Sequence, residues 1–315
     1  MVKYDFIPDV NIEISQPSHY YDANNLLERV SEGDVHYEEA IVTFIDILGF
    51  KSLVEFASAS KIADILSMFQ YVSQAHTTAS IITEDYENVR KTPQVIYFSD
   101  SLVRIAYPMN FHGESHANDS LNKTIDIGFE TGDIAHFQRL LLLSGVLIRG
   151  AITRGKIYSN KKSGLLFGPA MNRAYYIESN LSKHPRIIVD PEIIQTTSKK
   201  INSLICEDED GLVYINYFNF PAFNERGFCM TVEYGKDSEL FDEYSIMQFE
   251  MFEKRKEIIK QGLRNNSSDS GVLKKYNWLA KKHNDSVTYF FDTYREQSDY
   301  LKLSGTPKKE SEYYC

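Results

Sequence analysis

One acid inside an apolar strand is the feature that most restricts how this chain can fold. The segment IVTFIDILGF, residues 41–50, begins with β-branched and aromatic residues, a composition typical of a buried strand. Asp46 lies in that run, three residues before the strand-breaking Gly49. A carboxylate without partners in such a strand costs roughly several kcal/mol. Asp46 must therefore face a cation or hydrogen-bond donors.

A second acid lies at a predicted hairpin. Residues 95–107, VIYFSDSLVRIAY, alternate apolar side chains around a polar centre, which predicts a turn at Ser99, Asp100 and Ser101. If this hairpin neighbours the first strand, Asp100 and Asp46 converge. Two carboxylates repel each other unless a divalent cation lies between them, and such pairs commonly hold two metal ions. The alternative is that one acid caps a helix and the other is an ordinary turn residue.

The order of elements along the chain predicts the fold class. From residue 41 the patterns read strand, helix, hairpin, helix, strand, helix, strand, which favours an α+β fold with a mixed, mostly antiparallel sheet. We expect residues 1–38 to form an N-terminal arm and residues 39–195 to form the main domain. Residues 196–300 are expected to add a strand and two long helices, and residues 301–315 a flexible tail.

Charge and cysteine usage exclude several classes of protein. A net charge of −10 argues against a nucleic-acid groove, which needs a basic face, but permits a small anionic ligand. Three widely spaced cysteines without a CxxC pair predict a reducing compartment and argue against structural zinc. The chain begins without a signal-like segment, and its longest apolar run, residues 140–148, is too short to cross a bilayer. We expect a cytoplasmic protein without membrane partners.

Five segments, in order, resemble the motifs of class III nucleotide cyclases. FIDILGFKSL resembles their first strand, FxDIxGFxxL, and SDSLVRIA resembles their hairpin, GDxxxA. RGAITRG, GPAMNRAYYIES and PRIIVD resemble their fourth strand, a later helix and the strand after it. The resemblance spans residues 38–192. It implies the class III nucleotidyl cyclase-like fold, whose core is a ferredoxin-like palm.

The resemblance also implies which residues form a site. Two Mg²⁺ or Mn²⁺ ions are expected on Asp46, Asp100 and the backbone carbonyl of Ile47. The expected catalytic residues are Asp46, Asp100, Arg149 and Asn172, of which Arg149 is a candidate to meet the charge on the phosphates.

Further residues are expected to contact the nucleotide. Phe50 would pack against it, and Arg154 and Arg186 join Arg149 as candidates for the phosphates. Purine cyclases have an arginine four residues after the helix asparagine, where this chain has Tyr176. The sequence does not decide which arginine replaces it, and a surface salt bridge is the alternative role for Arg154 and Arg186.

Two positions bear on the base. Purine cyclases read the base with a lysine four residues before the hairpin acid and an acid or threonine three before the helix glycine. Those positions are Ile96 and Leu165 here, so the polar groups that would pair with a purine are missing. Tyr97 is expected to stack on or hydrogen-bond a pyrimidine. These features, with KKYNWLAKKHN and a C-terminal extension, resemble the pyrimidine cyclases of Pycsar anti-phage systems.

The function implied is conversion of UTP or CTP to its 3′,5′-cyclic monophosphate and pyrophosphate. UTP is favoured by family frequency alone. A homodimer with shared sites is expected, with metals on one chain and the 149–186 groups on the other, and a separate effector protein would read the product. The alternative is a catalytically silent cyclase-like sensor or scaffold, which Tyr176 supports. A diguanylate cyclase is excluded because no GG[DE]EF turn stands at residues 98–100.

Overall fold

The structure, a computed structural model, describes residues 35–74, 92–108, 119–161, 163–196, 205–219, 239–294 and 310–315. The chain divides into two units at Tyr37, and the strands and helices named here belong to the second, Glu38–Cys315. Most of the predicted arm, residues 1–38, lies outside the described residues.

Strands and helices are interspersed along this unit. Its strands are β1 (Glu38–Ile47), β2 (Gln94–Phe98), β3 (Ser101–Ala106), β4 (Ile148–Asn160), β5 (Leu165–Phe167), β6 (Ile187–Val189), β7 (Ile205–Glu207) and β8 (Val213–Ile215). Its helices are α1 (Phe50–Phe56), α2 (Ala59–Gln74), α3 (Asp119–Leu143), α4 (Pro169–Leu181), α5 (Pro191–Thr196), α6 (Glu239–Asn265), α7 (Ser270–Tyr294) and α8 (Glu310–Tyr313). Within the described ranges no helix is long and apolar enough to cross a membrane.

The strands form one mixed sheet in the order β2-β3-β1-β4-β6-β8-β7, with β5 paired to the far end of β4. Every neighbouring pair is antiparallel except β4 and β6. The order β4-β1-β3-β2, with helices between β1 and β2 and between β3 and β4, is that of a ferredoxin-like palm. The predicted α+β fold with a mostly antiparallel sheet is confirmed.

The central strand β1 serves two cores. Because side chains alternate across a strand, Ile45 and Ile47 pack with α2 and α3 on one face, in the main core. Val42 and Phe44 pack on the other face with residues of α4. Asp46 belongs to this second set, so the strand turns its acid toward the α4 side of the sheet.

Several sequence expectations need correction. The spacing of apolar residues from 52 to 75 predicts one helix, but the structure has two, because α1 ends at Phe56 and α2 begins at Ala59. The short strands β5 and β7 were not expected. The end of the predicted flexible tail is packed instead: Tyr313 in α8 is 3% exposed, within a cluster of aromatic residues from α6 and α7. Residues 301–309 of that tail lie outside the described residues.

Gly150 permits the close pairing of β4 with β1. A Cβ atom added there would lie 2.3 Å from the backbone oxygen of Phe44, a distance no side chain tolerates. The neighbouring residue Arg149 faces Asp46 in this pairing. Any side chain at residue 150 would therefore push apart the two strands that carry the acid and the arginine.

We expect Gly150→Ala to lower the free energy of unfolding by about 1–3 kcal/mol, because backbone atoms must move to admit the methyl group. Urea denaturation measures this. Lys156→Ala, which removes an exposed side chain on the same strand, is the matched control and should stay within about 0.5 kcal/mol of wild type. Equal stability of the two variants would contradict the packing argument.

Candidate active site

A row of three side chains crosses the sheet at the end of β1. The antiparallel registers set Asp46 opposite Ser101 on β3 and opposite Arg149 on β4. The Ser101 hydroxyl donates to Asp46 Oδ1 at 2.9 Å, and Arg149 Nε lies 3.5 Å from Asp46 Oδ2. The acid in the apolar strand therefore faces a hydroxyl and a guanidinium group.

Asp100 lies on the two-residue turn between β2 and β3. Ser99, the other turn residue, has φ 59°, and the Ile47 N–H donates to the Asp100 backbone oxygen at 3.0 Å. This bond fixes the hairpin tip to the end of β1. Burial raises the pKa of Asp46 above its ordinary value and the charge of Asp100 raises it further, while Ser101 and Arg149 act in the opposite direction. The two carboxylates are thus close enough to repel each other.

Arg149 is the cation that contacts both partly buried acids. Its Nε lies 2.7 Å from Glu178 Oε1 on α4, closer than to Asp46 Oδ2, and forms an ion pair with Glu178. The angle between Arg149 Nε and Glu178 Oε1 does not suit a hydrogen bond. Its Nη1 donates to the Ser182 backbone oxygen at 3.4 Å. Burial raises the pKa of Glu178, and the charge of Asp46 adds to the increase, while Ser179 and Arg149 oppose it. One guanidinium group is therefore shared between two partly buried acids.

The position of Arg149 corrects one expectation. The 149–186 groups were predicted to serve the site from the chain opposite the metal-binding acids. Arg149 instead lies beside Asp46 of its own chain, because β1 and β4 are paired and the register sets these residues opposite each other.

Arg186 is not available to a nucleotide, so its predicted role is wrong. Its side chain is fully buried and forms ion pairs with Asp208 and Asp210. Trp278 on α7 donates from its indole nitrogen to Asp208 at 2.7 Å, which ties the same acid to the C-terminal helices. The buried guanidinium needed an anion, and the acidic turn before β8 provides it.

The Tyr97 hydroxyl is directed to α2. Its hydroxyl is 2.7 Å from Ser73 Oγ and donates to the Gln70 backbone oxygen at 3.3 Å, both on α2. Ile96, the next residue back, packs in the α4-side cluster. Successive residues of a strand point to opposite faces, so the two cannot line one pocket on the same face.

The other predicted residues lie in different places. Leu165 is exposed on β5, and Phe50 is half-buried at the start of α1 against the main core. Asn172 is exposed on α4. Arg154 is half-buried on β4, five residues beyond Arg149 and so roughly 16 Å along the strand. The Asp46 site of the same chain therefore does not include Arg154.

The outer face of α4 carries Asn172 and Tyr176, both exposed and one helical turn apart. Arg173 between them turns elsewhere and binds Asp190 through two hydrogen bonds, at 2.8 and 3.1 Å. The structure thus leaves Tyr176, and no arginine of this helix, beside Asn172.

Three residues near the site were not predicted from the sequence. Ser101 and Glu178 contact Asp46 and Arg149 directly. Lys275 on α7 lies near them: burial lowers its pKa, and the charge of Arg149 lowers it further. Ser101 had a signal, since it follows Asp100 at the hairpin, but Glu178 and Lys275 reach the site only through tertiary packing.

The acids suit a divalent cation. Asp46 and Asp100 supply carboxylate oxygens, and the backbone of Ile47 is held next to Asp100, a donor set that Mg²⁺ and Mn²⁺ accept. Burial is the largest cause of the raised pKa of Asp46 and the charge of Asp100 adds to it, so a cation bound there would stabilise the ionised carboxylate. Within the described ranges no group of three or more histidine, cysteine or acidic side chains is placed to bind a metal. The fit therefore rests on these two carboxylates with backbone oxygen.

Comparison with known proteins gives structural neighbours only. No family model matches the sequence, and no curated protein matches it significantly. Similar solved structures include the guanylyl cyclase domain of the RhoGC fusion protein from Blastocladiella emersonii, at 14% identity over 58% of this chain and 96% of that one, TM-score 0.36. A bacterial light-regulated adenylyl cyclase (13% identity, 62% and 61%, TM-score 0.36) and a class III adenylyl cyclase-like ATP-binding protein from Pseudomonas aeruginosa (14%, 53% and 36%, TM-score 0.34) are also similar. At these values the likeness assigns no activity to the chain.

The raised pKa of Asp46 predicts how stability depends on pH. Because folding raises the pKa of Asp46, the folded state binds the proton of this carboxyl group more tightly than the unfolded state does. The resulting stability is fully present below the ordinary pKa of 3.8 and is lost as the pH rises through the raised pKa. We expect metal-free Asp46→Asn to resist urea better than wild type at pH 7, and the difference to vanish below about pH 4. Urea titrations in a chelator, from pH 3.5 to 7, measure this.

Asp64→Asn is the control for that series, since Asp64 is exposed on α2. It should give no such pH-dependent difference. A metal-free Asp46→Asn variant that is less stable than wild type at pH 7 would contradict the conclusion that Asp46 is held in an unfavourable charged state.

Proposed function

We propose that this chain is a nucleotide cyclase of the class III type that acts on a pyrimidine nucleoside triphosphate. The observation that carries the proposal is the convergence of Asp46 and Asp100 at the end of β1, with Arg149 beside them. Phosphoryl transfer requires acids that bind a divalent cation and a positively charged side chain that binds phosphate.

The reaction is an intramolecular displacement at phosphorus. The ribose 3′-hydroxyl gives up its proton to water and its oxygen attacks the α-phosphorus. The bond from that phosphorus to the bridging oxygen breaks, and pyrophosphate leaves with the electron pair. Bound Mg²⁺ or Mn²⁺, two ions per site, would lower the pKa of the 3′-hydroxyl and offset charge on the phosphates. Asp46, Asp100 and the Ile47 carbonyl would hold them.

Arg149 is the group of this chain best placed to bind phosphate oxygens. It is fixed on a central strand, its side chain is partly exposed, and its planar guanidinium group can donate two parallel hydrogen bonds to a phosphate. Of the other arginines predicted for this role, Arg186 is committed to buried ion pairs and Arg154 is distant along β4. Phosphate binding within one chain is therefore assigned to Arg149.

The proposed preference for a pyrimidine rests on Ile96 and Leu165. Both are apolar where purine cyclases have hydrogen-bonding groups, so a purine would leave buried ring nitrogens unpaired at about 1–3 kcal/mol each. A pyrimidine has fewer such atoms. With Tyr97 turned toward α2, no side-chain donor is assigned to the base, and the choice of UTP over CTP rests on family frequency alone.

A second candidate is a catalytically silent cyclase-like protein that senses a nucleotide or binds a partner. Tyr176, exposed beside Asn172 where related cyclases have an arginine, favours it. The two converging acids favour the enzyme, because binding without catalysis does not require a pair of repelling carboxylates.

The proposed enzyme is a homodimer whose sites are shared between chains. Apolar side chains are exposed around β2, β5 and α4 and would be covered by a second copy: Phe98, Leu165, Phe167, Tyr175 and Tyr176. Asn172 on the outer face of α4 would then act on a nucleotide bound at the partner's acids. A cytoplasmic role in phage defence, with the cyclic nucleotide read by a separate effector, belongs to the same proposal.

We expect UTP or CTP, incubated with Mn²⁺ and the protein, to give the cyclic monophosphate and pyrophosphate, with little product from ATP or GTP. Chromatography of the four reactions measures this. Asp46→Ala and Asp100→Ala should each lower the rate at least about a hundredfold because each removes a metal ligand. Asp64→Ala is the control and should react normally. Product from ATP alone would overturn the pyrimidine assignment, and no product from any nucleotide would favour the silent alternative.

Mixed variants test the shared site. Asp46→Ala mixed with Asn172→Ala should restore about one quarter of wild-type activity, since a random mixture leaves one intact site in each mixed dimer. Asp46→Ala mixed with Arg149→Ala is the matched control. It should restore nothing, because both residues serve the site of one chain. Activity in the second mixture would contradict this arrangement. So would a lack of activity in both mixtures when the subunits are shown to exchange.

A further inference from the structure

Arg149 has two acidic partners, and they are not equivalent. Its Nε lies 2.7 Å from Glu178 Oε1 and 3.5 Å from Asp46 Oδ2. The Glu178 side chain is 3% exposed, against 20% for Asp46. The nearer and more deeply buried acid is thus the one that sequence reasoning assigned no role.

A cation at Asp46 competes with Arg149. A metal ion on the same carboxylate lies next to the positive charge of the guanidinium group, and the two repel each other. The repulsion is smaller if the guanidinium group has another anion to hold it away. Removing that anion would leave Arg149 with Asp46 as its one carboxylate partner in the described site.

Glu178 is built to hold the guanidinium group. It lies on the inner face of α4, where Ser179 Oγ donates to its other oxygen at 2.7 Å. The Ser182 backbone oxygen accepts from Arg149 Nη1, and Ser182 is itself fixed by its hydroxyl bond to the Arg186 backbone oxygen at 2.8 Å. The end of α4 and the residue after it thus supply a carboxylate and a hydrogen-bond acceptor to the Arg149 guanidinium group.

We infer that Glu178 is a positioning residue that holds Arg149 off Asp46 when a divalent cation binds there. The inference rests on the proposed function for the identity of the metal site. It assigns to α4 a task within its own chain, distinct from the one proposed for Asn172 on its outer face.

A simpler electrostatic effect must be separated from this one. The charge of Glu178 attracts a cation through space whether or not Arg149 is present. A double-mutant cycle distinguishes the two, because an effect that acts through Arg149 disappears when Arg149 is neutral, whereas a direct effect persists.

The experiment measures Mn²⁺ binding to the metal-free full-length protein, without nucleotide, by electron paramagnetic resonance of free Mn²⁺. Glu178→Gln should weaken binding about tenfold in the wild-type background. In an Arg149→Met background the same change should alter the Kd less than about twofold. Glu257→Gln, the same substitution at an exposed position of α6, should have no effect. An equal loss in both backgrounds, or no loss in wild type, would overturn the inference.

A second variant covers the case in which Glu178→Gln does not fold. Glu178→Asp keeps the charge but draws it back by one methylene, and should weaken Mn²⁺ binding in the wild-type background while leaving Arg149→Met unaffected. If the wild-type protein binds Mn²⁺, loses that binding in Asp46→Asn and yet cyclises no nucleotide, the proposed function is refuted and the role of Glu178 stands. Wild-type protein that binds no Mn²⁺ would refute both.

Discussion

The pairing of β1 with two neighbours at once is the constraint on which the site depends. Because β1 is antiparallel to both β3 and β4, a single row across the sheet holds Ser101, Asp46 and Arg149 side by side. The two-residue alternation of the strand turns Asp46 toward α4 and sends Ile45 and Ile47 into the main core. A slip of one residue would exchange these faces, so the same pattern that builds the core also fixes the direction of the acid.

The site is a small balance of charge around one guanidinium group. Asp100 approaches Asp46 from the hairpin side, and Glu178 approaches Arg149 from α4. Burial raises the pKa of both Asp46 and Glu178, so a positive charge beside them stabilises their ionised forms. The sheet holds the carboxylate of Asp46 in place, and Glu178 gives Arg149 a second carboxylate partner. This arrangement suits the binding of a divalent ion at Asp46.

The C-terminal helices are part of the same compact unit as the sheet. Trp278 on α7 and Arg186, just before β6, both contact the buried carboxylate of Asp208, which joins the helices to the strands. Lys275, one turn before Trp278, lies close enough to Arg149 for its charge to lower the lysine pKa. The boundary predicted at residue 196 remains a prediction, but these contacts tie the C-terminal helices to the region of the site.

The sequence by itself determined the class of fold, the hairpin and the pair of acids. Those features depend on short-range patterns: alternation in the strands, breakers at the turns, and a carboxylate where an apolar residue was expected. Only the tertiary structure decided the partners. Glu178 contacts Arg149 from a separate helix, Arg186 forms an ion pair with an acid distant in the sequence, and the Tyr97 hydroxyl contacts α2. A local pattern determines which face of its own strand or helix a side chain lies on. The residues that contact it there depend on how elements distant in the sequence pack together, and a local pattern contains no information about that packing.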